Sequence, residues 1–100
     1  MTQEYLVMLN VPPALEGVVV DNLLMMEFER GFSGSLVYSH HHENKGLSLA
    51  EQVTGRQKRI CFQMYVDGTN LALLLTTLRE NFSNSGIQYW VMPVLQSGVF

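Results

Sequence analysis

The stretch RICFQMYV, residues 59–66, alternates with a period of two, as the side chains of a β-strand do. Its residues fall into two sets that face opposite sides of a sheet: Ile60, Phe62, Met64 and Val66, and Cys61, Gln63 and Tyr65. Asp67-Gly68 follows and is typical of a turn. We therefore predict a strand here and place the rest of the chain around it.

Two helices and three further strands are predicted on either side of this strand. The other strands cover residues 5–11, 34–40 and 87–95. The first helix starts near Pro13, and the second covers residues 69–82. Proline suits a first helical turn, and apolar residues then recur at helical spacing. The order β-α-β-β-α-β is the ferredoxin-like pattern, an α+β fold with two helices on one face of a four-stranded antiparallel sheet.

The second face of that sheet is also apolar. If Val7, Leu9, Phe62 and Met64 face the helices, the opposite face carries mainly Leu6, Met8, Cys61, Tyr65, Tyr89 and Val91. A monomer would expose this set to water, and only 15% of the residues are charged, against about a quarter in an average protein. We therefore predict a homo-oligomer in which the second face is buried between subunits.

Length and composition restrict the class of protein. One hundred residues form a single domain, residues 1–100. A net charge of −3 argues against nucleic-acid binding, which requires a basic surface. The single cysteine, Cys61, excludes an intrachain disulfide and suits a reducing compartment. No apolar run approaches membrane-spanning length, so we expect a cytoplasmic protein that is not inserted in a membrane.

Residues 40–58 interrupt the pattern of strands and helices, since they are too polar for core and too long for an ordinary connection. Ser48 and Glu51 form a capping-box pattern, and Gly55 suits a helix end, so a short helix is predicted inside. Connections of this length are often functional or disordered. We therefore expect the functional residues of the chain in this excursion.

All three histidines of the chain stand side by side at its start, in the sequence SHHHENKG. On an extended strand His40 and His42 project to the same side, about 6–7 Å apart at Cα. Imidazole nitrogen suits Zn²⁺, Cu²⁺ and Ni²⁺, and His41 and Glu43 are further candidate ligands. The hypothesis is a divalent metal site at His40, His41, His42 and Glu43; the alternative is a solvated turn.

The second cluster is GRQKR, residues 55–59, which holds three of the six cationic residues of the chain. Guanidinium groups bind carboxylate or phosphate in a bidentate way, so Arg56 and Lys58 are candidates for an anionic ligand. The alternative is a charged strand entrance that keeps a sheet edge soluble. No nucleophile–base arrangement and no GxGxxG or GxxxxGK[ST] fingerprint can be found, so we predict a protein that is not an enzyme.

Three stretches, residues 9–24, 31–60 and 89–95, resemble a small bacterial family of uncharacterised PII-like proteins; LSLAEQVTGR (47–56) and YWVMPV (89–94) are the most specific pieces. The wider superfamily includes the nitrogen regulatory protein PII and the divalent-cation tolerance proteins. The resemblance implies a trimer with the sheets inside, and it equates residues 40–58 with the mobile effector loop of PII. It also places Gly55, Arg56 and Lys58 beside an effector cleft between subunits, and it implies a link to heavy-metal efflux transporters.

The chain departs from PII where that protein holds nucleotide phosphates. The corresponding stretch FSNSGIQYW, residues 82–90, has one glycine and no cation, which argues against nucleotide binding of the PII kind. Our first hypothesis is therefore a trimeric, non-enzymatic regulator that senses a divalent metal through residues 40–58 and acts on a membrane transporter or another partner. The second is a module that binds a nucleotide-like anion, and the third and weakest is an oligomeric ferredoxin-like enzyme.

Overall fold

The computed structural model describes residues 3–40 and 56–100. It contains the strands β1 (Glu4–Val11), β2 (Phe32–His40), β3 (Arg56–Asp67) and β4 (Gln88–Pro93), and the helices α1 (Glu16–Met25) and α2 (Gly68–Phe82). This order confirms the predicted ferredoxin-like βαββαβ fold.

The four strands form one antiparallel sheet in the order β2-β3-β1-β4. The strand predicted from RICFQMYV is therefore central, with β2 and β1 as its neighbours. Leu9 stands opposite Phe62 on β3 and Tyr89 on β4. Because directly opposed residues of antiparallel strands share a face, this register defines the two faces of the whole sheet.

Local sequence signals account for the starts of both helices. Pro13 opens a 3₁₀ turn, Pro13–Leu15, that leads into α1. The carboxylate of Asp67 caps α2 by accepting a hydrogen bond of 2.8 Å from the backbone N–H of Asn70. Such a cap satisfies one of the backbone donors that a helix start leaves unpaired.

One hydrophobic core lies between the helices and the sheet. Its buried members are Val7, Leu9 and Val11 of β1, Val19 and Leu23 of α1, Phe62, Met64 and Val66 of β3, and Leu74 of α2. The set predicted to face the helices is therefore confirmed. The backbone of Gly34 on β2 packs tightly against this core, because a Cβ at that position would lie 2.9 Å from the ring of Phe62.

The prediction for two residues of β4 was wrong. Tyr89 and Val91 pair with Leu9 and Val7, so they lie on the helix side and not on the second face. Trp90 and Met92 occupy the second face in their place, and they remain 47% and 40% exposed. Because β4 is apolar at both sets of alternate positions, its sequence carries no signal for which set faces the helices.

The excursion is bounded more tightly than predicted. His40 is the last residue of β2, and β3 begins at Arg56, three positions before the predicted start at Arg59. Arg56 and Lys58 are therefore strand residues, while the helix predicted at Ser48 lies outside the described residues. In the described part of the chain, no helix is both long and apolar enough to cross a membrane.

Candidate functional site

A ribbon formed by β2 and β3 extends past the end of the sheet. The pairing of β1 with β3 stops at Val11 opposite Ile60, whereas β2 and β3 stay paired as far as His40 opposite Arg56. We call residues 37–40 and 56–59 the ribbon. It carries both ends of the excursion, so every candidate site residue that the structure describes lies on it.

Four polar side chains share one face of the ribbon. Tyr38 stands opposite Lys58, and His40 stands opposite Arg56, so all four lie on the same side of the two strands. The guanidinium carbon of Arg56 lies 4.1 Å from the centre of the Tyr38 ring. This cation–π contact holds the Arg56 side chain over its neighbour and restricts where its charge can be presented.

The structure thus brings together His40, Arg56 and Lys58 from the two predicted sites. His41, His42, Glu43 and Gly55 lie outside the described residues, so the metal site and the effector site as complete sets remain predictions. The described portion brings an imidazole and two cationic groups to one exposed surface. An imidazole can bind a metal, whereas paired cations favour an anion.

The opposite face of the ribbon carries Arg59, whose role sequence reasoning missed. Its Nε donates a hydrogen bond of 2.5 Å to Oδ1 of Asn10, and its Nη2 donates to the backbone oxygens of Asn10 at 3.1 Å and of Gly86 at 2.9 Å. One guanidinium therefore joins the base of the ribbon to the end of β1 and to the turn before β4.

These acceptors of Arg59 are neutral oxygens, and partial burial lowers the pKa of its guanidinium. Arginine nevertheless keeps its charge at any pH a protein experiences. A signal in the sequence could have found the contact, since Asn10 is the polar residue in the apolar run YLVMLNV. A polar residue in such a strand requires a partner when it is partly buried.

The far end of the sheet has a different polar network, centred on Glu4. The Glu4 carboxylate accepts hydrogen bonds from Arg30 at 2.8 Å and from the Ser97 hydroxyl at 2.6 Å. Arg30 also lies over the Tyr65 ring, 4.6 Å from its centre. The Ser97 hydrogen bond and then the Arg30 guanidinium hold the pKa of Glu4 below its ordinary value.

A groove of about 480 Å³ adjoins this network and is lined by the carboxylates Glu4, Glu27, Glu29 and Asp67 together with Arg30. We call this the acidic end. The carboxylates do not converge: among the residues that the structure describes, no group of three His, Cys, Asp or Glu side chains could hold a metal ion.

A second cavity, of about 220 Å³, opens beneath the last turns of α2 and is mainly apolar. Its apolar lining consists of Leu9, Leu75, Leu78, Phe82, Ile87 and Tyr89. Arg79, Ser83 and Asn84 form its polar rim. We call this cavity the apolar pocket; it lies at the ribbon end of the sheet, because β4 begins at Gln88, opposite Asn10 of β1.

Solved structures share this architecture. A DUF3240 family protein from Shewanella baltica OS155 superposes with a TM-score of 0.78 at 26% identity, over 100% of this chain and 99% of that one. CutA from Synechococcus elongatus PCC7942, complexed with Bis-Tris, gives 0.70 at 12% identity over 99% and 87%. The GlnK–ATP complex from B. subtilis gives 0.66 at 16% identity over 94% and 84%. The last two likenesses show a shared PII- and CutA-like fold.

Sequence comparison agrees with the first of these structures. No curated protein shows a significant match to the chain. The profile of a family described as "Protein of unknown function (DUF3240)" matches residues 1–100, the whole of the chain. The resemblance to a PII-like family is therefore confirmed, and the chain belongs to the DUF3240 family.

Proposed function

We propose that the protein is a non-enzymatic PII-like regulator that binds a divalent heavy metal at the start of the excursion, through His40, His41, His42 and Glu43. The observation that carries the proposal is the position of His40. It ends β2 on an exposed ribbon, beyond the last residue pair of β1. Ligands at such a position can change their coordination without disturbing the core.

Assembly as a trimer is part of the proposal. The second face of the sheet presents Leu6, Met8, Tyr65, Trp90 and Met92, a set that another subunit would cover. Tyr65 and Trp90 are 41% and 47% exposed in the single chain. Large exposed apolar patches of this kind mark interaction surfaces, and the resemblance to PII implies a trimer.

Regulation would follow from a change in the excursion. A metal that binds one arrangement of residues 40–58 better than another shifts the population toward it by its differential affinity. The partner would then be contacted by that arrangement. A metal efflux transporter, which the family resemblance implies, is the partner we propose.

Calorimetric titration of metal-stripped protein with Zn²⁺, Cu²⁺ and Ni²⁺ tests the metal site. We expect micromolar or tighter binding of at least one metal, lost in the His40→Ala/His42→Ala variant. Arg56→Ala is the matched control, because it removes the residue opposite His40 and leaves all three imidazoles in place. Equal and weak binding by the wild type and the histidine variant would reject the metal site.

A second candidate function is favoured by the two cations on the ribbon. Arg56 and Lys58 lie on the same face, with Arg56 held over Tyr38. A fixed guanidinium beside an ammonium group suits a carboxylate or phosphate ligand. The GlnK relative is solved with ATP, which is such an anion, although this chain lacks cations in residues 82–90.

The same pair of variants separates the two functions. If the ribbon binds adenine nucleotides, Arg56→Ala should abolish the affinity and His40→Ala should leave it unchanged. If the metal site is correct, the affinity for the metal should be lost on changing His40 and kept in Arg56→Ala. Titration with ATP, ADP and citrate in parallel with the metals gives both answers from the same protein preparations.

A further inference from the structure

The segment after β4 is apolar and stands away from the fold. Leu95 and Val99 are 99% and 92% exposed, and Phe100 is fully exposed. The segment is nevertheless fixed at its middle, because the Ser97 hydroxyl donates to Glu4 and accepts from Arg30 at 3.2 Å. Three exposed apolar side chains on an anchored segment require a cover that the described part of the chain does not supply.

The apolar pocket has the size and chemistry to take one of them. Its volume is about 220 Å³. An apolar cavity of about 150 Å³ accommodates a benzene ring, so a phenyl group fits. Its wall is made of leucine, isoleucine and aromatic side chains, and its rim is polar. Burial of a phenylalanine side chain in such a site is strongly favourable.

The segment cannot reach the pocket of its own chain. The backbone N–H of Val94 donates a hydrogen bond to the backbone oxygen of Glu4 at the acidic end. The pocket lies at the other end of the sheet, where Leu9 and Tyr89 line it. Leu9 lies five residue steps along the strand from Glu4, a distance of about 17 Å. From the anchor at Ser97 to Phe100 the chain spans at most about 11 Å. Any copy of this segment that enters the pocket must therefore belong to another chain.

The charges of the two ends favour that contact. The segment leaves the acidic end, where the groove is lined by Glu4, Glu27, Glu29 and Asp67, and Arg30 is the one cation among the described residues that line it. At the pocket end, Arg79 lies on the rim, and Arg59 bonds to Gly86 nearby. When the segment of one copy enters the pocket of the next, carboxylates approach cations.

We propose that residues 95–100 of one copy dock into the apolar pocket of a second copy, in a head-to-tail contact that continues around a closed ring. Such contacts are heterologous and close into a ring when the rotation between copies allows it. A ring of three agrees with the trimer proposed above. The inference rests on that assembly, but it does not depend on metal binding.

Disulfide trapping tests the contact. In a Cys61→Ala background, the double variant Ser83→Cys/Gly98→Cys places one thiol on the pocket rim and one in the segment. A Cβ at Gly98 meets no atom within 4 Å, so the substitution fits. We expect covalent dimers and trimers under mild oxidation. Neither single variant should give this ladder. The control Gly17→Cys/Gly98→Cys, with its partner thiol on α1, should not give it either.

A third variant, Val99→Ser/Phe100→Ser in the trapping background, should lower the yield of cross-linked species at least tenfold. Its circular dichroism should stay unchanged, because both side chains are exposed in the single chain. An oligomer that shows no ladder, or an equal ladder in the Gly17 control, overturns this inference alone. A monomer by light scattering at every concentration overturns both this inference and the proposed trimer.

Discussion

The two ends of the sheet each hold an arginine that joins distant parts of the chain, but their partners differ. Arg59, at the ribbon end, donates to neutral oxygens of Asn10 and Gly86 and is partly buried. Arg30, at the acidic end, pairs with the partly exposed Glu4 carboxylate and with Ser97. The Arg59 contact consists of hydrogen bonds from a charged group to neutral acceptors, whereas the Arg30 contact is an ion pair between opposite charges.

This difference predicts different sensitivities. A guanidinium held by carbonyl and amide oxygens responds little to salt or to pH, because the acceptors carry no charge to screen or to titrate. An exposed ion pair responds to both. The contact at the base of the ribbon should therefore persist as salt and pH change, whereas the contact that anchors residues 95–100 should weaken.

Arg59→Ala should have the largest effect. It removes hydrogen bonds to β1 and to the turn at Gly86, and bonds to a charged group contribute about 1.5–3 kcal/mol. Because the side chain is only partly buried, we expect a loss of about 2 kcal/mol in the free energy of unfolding, near the low end of that range. Urea unfolding at one fixed protein concentration measures it, since oligomerisation links stability to concentration.

Two further variants show whether the loss belongs to this contact. Arg59→Lys keeps the charge but not the planar donor fork, so it should recover only part of the stability. Asn10→Ala should destabilise less than Arg59→Ala, and the double variant should lose less than the sum of both. Additive losses of stability, or full recovery of stability with lysine, would contradict the role of the Arg59–Asn10 hydrogen bonds.

Sequence reasoning was sufficient for the fold because the core obeys simple periods. Ile60, Phe62 and Met64 alternate as expected, and their strand lies at the centre of the sheet. It failed for β4, where both Tyr89 and Trp90 could face the helices on apolarity alone. Only the pairing of Tyr89 with Leu9 decides the face, and that register is a tertiary fact.

The candidate site was harder to predict than the fold. Arg56, Lys58 and Arg59 were recognised as one basic cluster, but the start of β3 at Arg56 separates them onto two faces. Arg59 then takes a structural role through Asn10, a residue 49 positions away. Contacts between residues so far apart in the sequence leave no local pattern. The different roles of the cations in RQKR therefore could not be predicted from the sequence.

Arg30→Ala should have a smaller effect than Arg59→Ala. Exposed ion pairs contribute little to stability, and the Arg30–Glu4 pair is partly exposed on both sides. The stability difference from the wild type should shrink as salt is raised from low ionic strength, while the difference caused by Arg59→Ala should stay constant. Urea unfolding at several salt concentrations separates the two ends, and a parallel salt dependence would remove the distinction between them.

The smallest expected effect is the pH dependence contributed by Glu4. The Ser97 hydrogen bond and Arg30 lower the pKa of Glu4 in the folded chain below 4.5. A carboxylate with a depressed pKa binds fewer protons when folded, so its stabilisation is present above pH 4.5 and is lost as the pH falls through the folded value.

Glu4→Gln should therefore be less stable than the wild type at neutral pH, and the two should converge under acid conditions. Glu80→Gln on α2 is the control for general loss of charge and should show a weaker trend. Unfolding free energies across the acid range measure both. Protonation of Glu4 should also release residues 95–100 from their anchor at Glu4, which limited proteolysis would detect as faster cleavage in that segment. If the two proteins differ equally at all pH values, Glu4 acts through packing rather than charge, and the electrostatic account of the acidic end is wrong.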